Sequence, residues 1–115
     1  MKFGKRHYRA QVDTRDCGVA ALAMILEYYR SHHSLASLRE MAKTTMEGTT
    51  AFGLVKVAEE LGFETRAIKA DMSLFSMREA VYPFIAHVVK DGTLLHYYVV
   101  IGADKKYIYI ADPDP

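Results

Sequence analysis

The 115-residue chain holds a single cysteine, no tryptophan, three prolines and seven glycines. One thiol closes no internal disulfide and builds no multi-cysteine zinc site, so a reduced setting is the simplest expectation. Glycine and proline are too scarce for a fibrous or disordered chain. An excess of either charge is missing too: 15 Lys and Arg against 14 Asp and Glu leave +1. That near-balance speaks against nucleic-acid binding, and Lys2, Lys5, Arg6 and Arg9 read as a solvated terminus. No run approaches the roughly 18 apolar residues of a membrane span, and the N-terminus lacks the apolar stretch of a secretory signal. No GxxxxGK[ST] phosphate loop occurs. What is present is one core's worth of material: half the residues are apolar, with eight Tyr and five Phe, in a single 13.0 kDa domain.

The apolar run CGVAALAMILEYY, Cys17 to Tyr29, predicts a buried helix. A second helix carries Leu35, Leu38, Met41 and Ala42 on one stripe, with Ser37 and Glu40 at capping-box spacing. After a loop over Thr44–Thr49, Thr50 caps a third helix bearing Leu54, Val55, Val57, Ala58 and Leu61, and Gly62 takes the C-terminal cap. Strands are expected at Phe63–Ala70, Phe84–Val89, Thr93–Ile101 and Tyr107–Ala111, with a short helix over Ser73–Ala80. Asp91-Gly92 reads as a hairpin turn. Helices first and an antiparallel sheet second make an α+β fold.

Cys17 opens the buried helix, where the positive end of the helix dipole favours a thiolate. Gly18 beside it would let a substrate backbone come close. If the last two strands turn about Asp104, His96 falls directly opposite Asp112, with Cβ atoms roughly 5 Å apart. A two-residue turn at Asp91-Gly92 would instead set His87 opposite His96, which makes His87 a rival base or a histidine satisfied within the sheet. His32 and His33 are adjacent and do not converge on a metal, and His7 reads as solvated. No metal and no cofactor are expected. The order Cys, His, Asp, with the nucleophile at a helix N-terminus and the other two on a following sheet, is the papain-like arrangement. Gln11, six residues before Cys17, offers a side-chain amide for an oxyanion or is an ordinary polar loop residue.

Gln11-Val12-Asp13-Thr14-Arg15-Asp16-Cys17-Gly18-Val19-Ala20-Ala21-Leu22 resembles the nucleophile motif of the bacteriocin-processing cysteine peptidases. These are the N-terminal domains of ABC exporters that clip double-glycine leaders. Leu95-His96-Tyr97-Tyr98-Val99-Val100 resembles their histidine motif and Ile110-Ala111-Asp112-Pro113 their aspartate motif, so the resemblance runs along essentially the whole chain. It is strongest to the branch whose cargo is a competence pheromone. The resemblance implies Cys17 as nucleophile, His96 as general base and then acid, Asp112 as orienting carboxylate and Gln11 as oxyanion donor. The Asp112-Pro113-Asp114-Pro115 repeat leaves a choice of Asp, and the hairpin register selects Asp112. The implied substrate is a precursor peptide with an amphipathic-helix leader ending in Gly-Gly. Tyr97, Tyr98 and exposed apolar positions of the third helix are candidates for its groove, or else core. Residues 1–115 are then one papain-like peptidase domain from the N-terminal part of a longer transporter. Its partners would be that protein's transmembrane and ATP-binding domains, and its place the cytoplasmic side of the membrane. The competing expectations are a non-catalytic leader-docking domain, the condition of relatives that lack the cysteine, and another papain-like acyl-transfer enzyme.

Overall fold

The computed structural model describes residues 2–69, 81–90 and 94–114. Helix α1, Cys17–Tyr28, is the central element, with Val19, Ala20, Ala21, Leu22, Ala23, Met24 and Leu26 all buried. Its alanines keep the helix thin enough to be enclosed on most sides, and Leu22, Met24 and Leu26 fill the space between layers. The helix closes with Ser31 N–H on the Leu26 carbonyl (2.8 Å) and Arg30 N–H on that of Glu27 (3.0 Å).

Helix α2, Leu35–Ala42, starts earlier than the capping-box spacing predicts, because Ser34 is its cap and accepts from the Ser37 N–H at 3.1 Å. Helix α3, Ala51–Glu60, is capped by Thr50, whose hydroxyl accepts from Gly53 N–H at 3.0 Å. It ends as expected at Gly62: φ is +92° there, and Phe63 N–H returns to the Ala58 carbonyl at 3.0 Å. A side chain at that φ would be strained.

Three strands follow: β1 (Phe84–Lys90), β2 (Leu94–Ala103) and β3 (Ile108–Ala111), antiparallel in the order β1-β2-β3. Tyr97 and Val99 of β2 and Ala111 of β3 belong to the core that α1, α2 and α3 share. The fold is therefore helices packed on a C-terminal antiparallel sheet.

The expected strand at Phe63–Ala70 does not form over residues 63–69. Phe63 packs on the core and meets the Tyr29 ring at 5.6 Å, but Arg66, Ala67, Ile68 and Lys69 are all exposed, so this stretch buries too little to hold a strand in place. The expected helix at Ser73–Ala80 and the Asp91-Gly92 turn lie outside the described residues.

Candidate active site

Cys17 is half-buried at the start of α1. Immediately before it, Thr14–Asp16 form one turn of 3₁₀ helix, capped by the Asp13 side chain on Arg15 N–H at 3.0 Å. The expected open space at Gly18 is absent. A Cβ there would lie 3.2 Å and 3.3 Å from two atoms of the Tyr97 ring and 3.4 Å from Thr49 Cβ. Glycine at 18 thus makes room for Tyr97 rather than for a substrate backbone. The Tyr97 hydroxyl donates to the Thr49 carbonyl at 2.9 Å. Burial, and then the nearby Cys17, push the phenol up to about 12.

His96, next in the chain to Tyr97, is 4% exposed. Its Nε2 lies 2.7 Å from Asp112 Oδ1. The pair meets by a different register from the one expected. β2 and β3 pair Val99 with Ala111 and Val100 with Ile110, and a bulge intervenes before Gly102 and Tyr109. Continued past Ala111, that register sets Asp112 diagonal to His96, on the same face of the sheet but not opposite it. The causes are that bulge and the turn before it: Asp104 Oδ1 accepts from the N–H groups of Lys106 (2.8 Å) and Tyr107 (2.7 Å), so Asp104–Tyr107 turn as a four-residue loop instead of pivoting on Asp104.

Asp112 is held from several sides. Tyr8 donates its hydroxyl to the Asp112 carbonyl at 2.6 Å, and Asp114 N–H donates to Asp112 Oδ1 at 2.9 Å. The repeat that left a choice of carboxylate is thereby resolved as to contact: His96 bonds Asp112, while Asp114 is exposed. The backbone N–H of Gln11 donates to the Pro113 carbonyl at 2.8 Å. This ties the segment leading to Cys17 to the segment carrying Asp112. Gln11 Oε1 is buried with no hydrogen-bond partner among the described residues.

His87 lies opposite Tyr97, not His96, because Lys90 pairs with Leu94 and shifts the register by one from that of a two-residue turn. Its ring stacks on that of Tyr97 at 4.0 Å, with the planes 9° apart. Burial lowers its pKa. His7 is not solvated as expected: it is 4% exposed, with Gly4 N–H donating to its Nδ1 at 2.9 Å and the Tyr28 ring edge-on at 5.5 Å. Nor is the basic N-terminal segment free, since Arg9 pairs with Glu27 at 3.1 Å. Among the groove candidates, Tyr97 is core and Tyr98 half-buried, whereas Phe52 of α3 is 73% exposed.

Two residues to which the sequence analysis assigns no role, Asp16 next to Cys17 and Arg39 of α2, form an ion pair. Asp16 has no solvent exposure, and Arg39 of α2 grips it with Nε on Oδ1 and Nη2 on Oδ2, both at 2.7 Å. Asp16 Oδ2 also accepts from Val12 N–H (3.1 Å) and Asp13 N–H (3.2 Å). These bonds, the Arg39 contact foremost, hold the carboxyl below its usual range despite burial. A signal existed: Arg39 is four residues after Leu35 and three before Ala42, on the apolar stripe of α2, where a cation calls for a buried partner.

Residues 5–115 match the peptidase C39 family. The chain is 71% identical over its full length to the transport/processing ATP-binding protein ComA of Streptococcus pneumoniae, and it spans 16% of that protein. It is 57% identical, again over its full length and 16% of the relative, to the lactococcin-A transport/processing ATP-binding protein LcnC of Lactococcus lactis. Among solved structures it resembles the peptidase domain of Streptococcus ComA, described as a bifunctional ABC transporter of a quorum-sensing pathway. That likeness has a TM-score of 0.88 and 54% identity, covering 93% of this chain and 78% of the other. A double-glycine-motif protease from an AMS/PCAT transporter, solved with its leader peptide, gives a TM-score of 0.81 at 30% identity, covering 91% of this chain and 71% of that one. The chain belongs to the peptidase C39 family.

Proposed function

We propose that this chain is a cysteine endopeptidase that removes the leader of a secreted peptide precursor by cutting after Gly-Gly. The observation that carries the reading is the 2.7 Å contact between His96 Nε2 and Asp112 Oδ1, on a strand whose next residue, Tyr97, packs on Gly18 beside Cys17. A carboxylate on Nε2 holds the proton there and leaves Nδ1 as the basic nitrogen. In this mechanism Nδ1 takes the Cys17 proton, and the sulfur attacks the carbonyl carbon of the second glycine. The negative charge gathers on the carbonyl oxygen, and the Cys17 N–H and the Gln11 side-chain amide receive it. As the C–N bond breaks, the His96 imidazolium gives its proton to the leaving amine, and a thioester remains on Cys17. Water, deprotonated by His96, then hydrolyses the thioester and frees the leader. Asp112 stays ionised throughout and orients the ring.

Two further features support the substrate class. Val12 and Met46 are 75% and 83% exposed. Arg15 Nη1 lies 3.3 Å from the Met46 sulfur, which sets one exposed apolar side chain beside the segment leading to Cys17, in keeping with an amphipathic helix as ligand. Relatives that span this chain at 16% of their length are named transport/processing ATP-binding proteins. The chain would then act as the peptidase domain of a membrane ABC exporter, facing the cytoplasm beside its transmembrane and ATP-binding domains. Incubation with a double-glycine precursor tests the reading. Cleavage after the second glycine that disappears in His96→Ala is the expected result, and unchanged cleavage in that variant contradicts the mechanism.

A further inference from the structure

The two members of the His96–Asp112 contact are held in different ways. His96 lies within the sheet, paired with Val88 of β1. The β2–β3 ladder ends at Val99 and Ala111, so Asp112 lies one residue beyond it and takes its place from other bonds. Its main-chain carbonyl accepts from the Tyr8 hydroxyl at 2.6 Å, and the next carbonyl, that of Pro113, accepts from Gln11 N–H at 2.8 Å. Tyr8 is itself tied down. It packs against the core, and its neighbours in the chain hold it to α1: the His7 ring is edge-on to Tyr28 at 5.5 Å, and Arg9 pairs with Glu27 at 3.1 Å. Cys17 opens that same helix. Burial, and then the charges of Asp112 and Asp114, raise the Tyr8 pKa, so the phenol keeps the proton that it donates.

We propose that Tyr8 is a positioning residue for the reaction assigned above, its hydroxyl bond to the Asp112 carbonyl setting the carboxylate against His96 Nε2. The contacts run from α1 through Tyr8 to Asp112, so the carboxylate is placed relative to the helix that carries the nucleophile. The Asp114 N–H on Asp112 Oδ1 at 2.9 Å orients the carboxyl locally, but it lies on the same segment and moves with it. Without the Tyr8 hydroxyl the Asp112 carbonyl turns to water and the segment drifts. A placement error of about 1 Å is enough to cost about a hundredfold in rate. The role rests on His96 and Asp112 acting on Cys17, and the test separates the two claims.

The experiment is a double-mutant cycle of Tyr8→Phe and Asp112→Ala. Two readouts are taken on the folded protein: kcat and KM on a double-glycine peptide, and alkylation of Cys17 by iodoacetamide at neutral pH. Tyr8→Phe keeps the ring and removes only the donor. It should lower kcat about fivefold or more with KM within about twofold, and slow alkylation as well. In Asp112→Ala no carboxylate is left to place, and there the same substitution should change either rate by less than about twofold. A tyrosine that merely supports the fold predicts the same loss in both backgrounds. A loss in Asp112→Ala as large as in the wild type therefore overturns the proposal, as does a Tyr8→Phe protein at wild-type rates. If Tyr8→Phe does not fold, p-aminophenylalanine at position 8 takes its place, because an amine on the same ring is a poorer donor than the hydroxyl. Losses that vanish in Asp112→Ala then support the proposal, and wild-type rates contradict it. If the wild-type chain cuts no Gly-Gly peptide, the functional reading fails, while the alkylation cycle still decides the role of Tyr8.

Discussion

At the scale of single residues, the site depends on which carboxylate answers which cation. Asp16 is the fully buried member of an ion pair with Arg39, and its carboxyl titrates below the usual range, chiefly through that contact. A carboxyl with a lowered folded pKa stabilises the fold above its unfolded pKa, and the contribution fades as pH falls through the folded value. Asp16→Asn should therefore cost on the order of 3 kcal/mol near neutral pH, with the gap to wild type closing below about pH 4. Urea unfolding at a series of pH values measures it, and a pH-independent gap would contradict the assignment. Asp112 has the other task, bonding His96 Nε2. In Asp112→Ala no side chain is left to accept the Nε2 proton, and kcat should fall about a hundredfold or more with the fold retained. Steady-state kinetics beside a circular-dichroism melt would show whether it does.

At the scale of elements, Tyr97 joins three pieces of structure: β2, the start of α1 through Gly18, and the loop before α3 through the Thr49 carbonyl. Tyr97→Phe keeps the ring and removes the hydroxyl, leaving a buried carbonyl unpaired, at a cost of about 1 kcal/mol by chemical denaturation. Gly18→Ala raises helix propensity, but its Cβ would press on the ring at 3.2 Å. Stability should change by less than about 1 kcal/mol, while kcat falls several-fold as β2 shifts against Cys17. The elements legible in the sequence are those set by local chemistry. The run from Cys17, the Thr50 cap and the Gly62 stop each state their case within a few residues. Register was not legible in the same way. The bulge after Val100 and the Asp104 turn together decide what faces His96, and neither follows from apolar alternation. The extended stretch after Gly62 failed for a related reason, since Phe63 packs on the core while the residues from Arg66 on face solvent. Asp16 and Arg39 stand 23 positions apart, and only the packing of α2 on α1 brings them together.

At the scale of the whole molecule, two anchor points join the two ends of the chain: Tyr8 bonds the Asp112 carbonyl and Gln11 bonds the Pro113 carbonyl, while His96 of β2 bonds the Asp112 side chain. The N-terminal segment is thus part of the platform that holds Asp112, not a solvated arm. The lone cysteine sits at the start of the most enclosed helix, within a fold shared with peptidase domains of ABC transporters. Its reactivity is the centre of the account. The most direct test is to incubate the chain with a double-glycine precursor and follow the products by mass spectrometry, in the wild type and in Cys17→Ala. The account predicts hydrolysis after the second glycine, with the leader caught on Cys17 as a thioester on rapid acid quench, and no cleavage by a Cys17→Ala protein that melts like the wild type. Cleavage that persists in Cys17→Ala would contradict it.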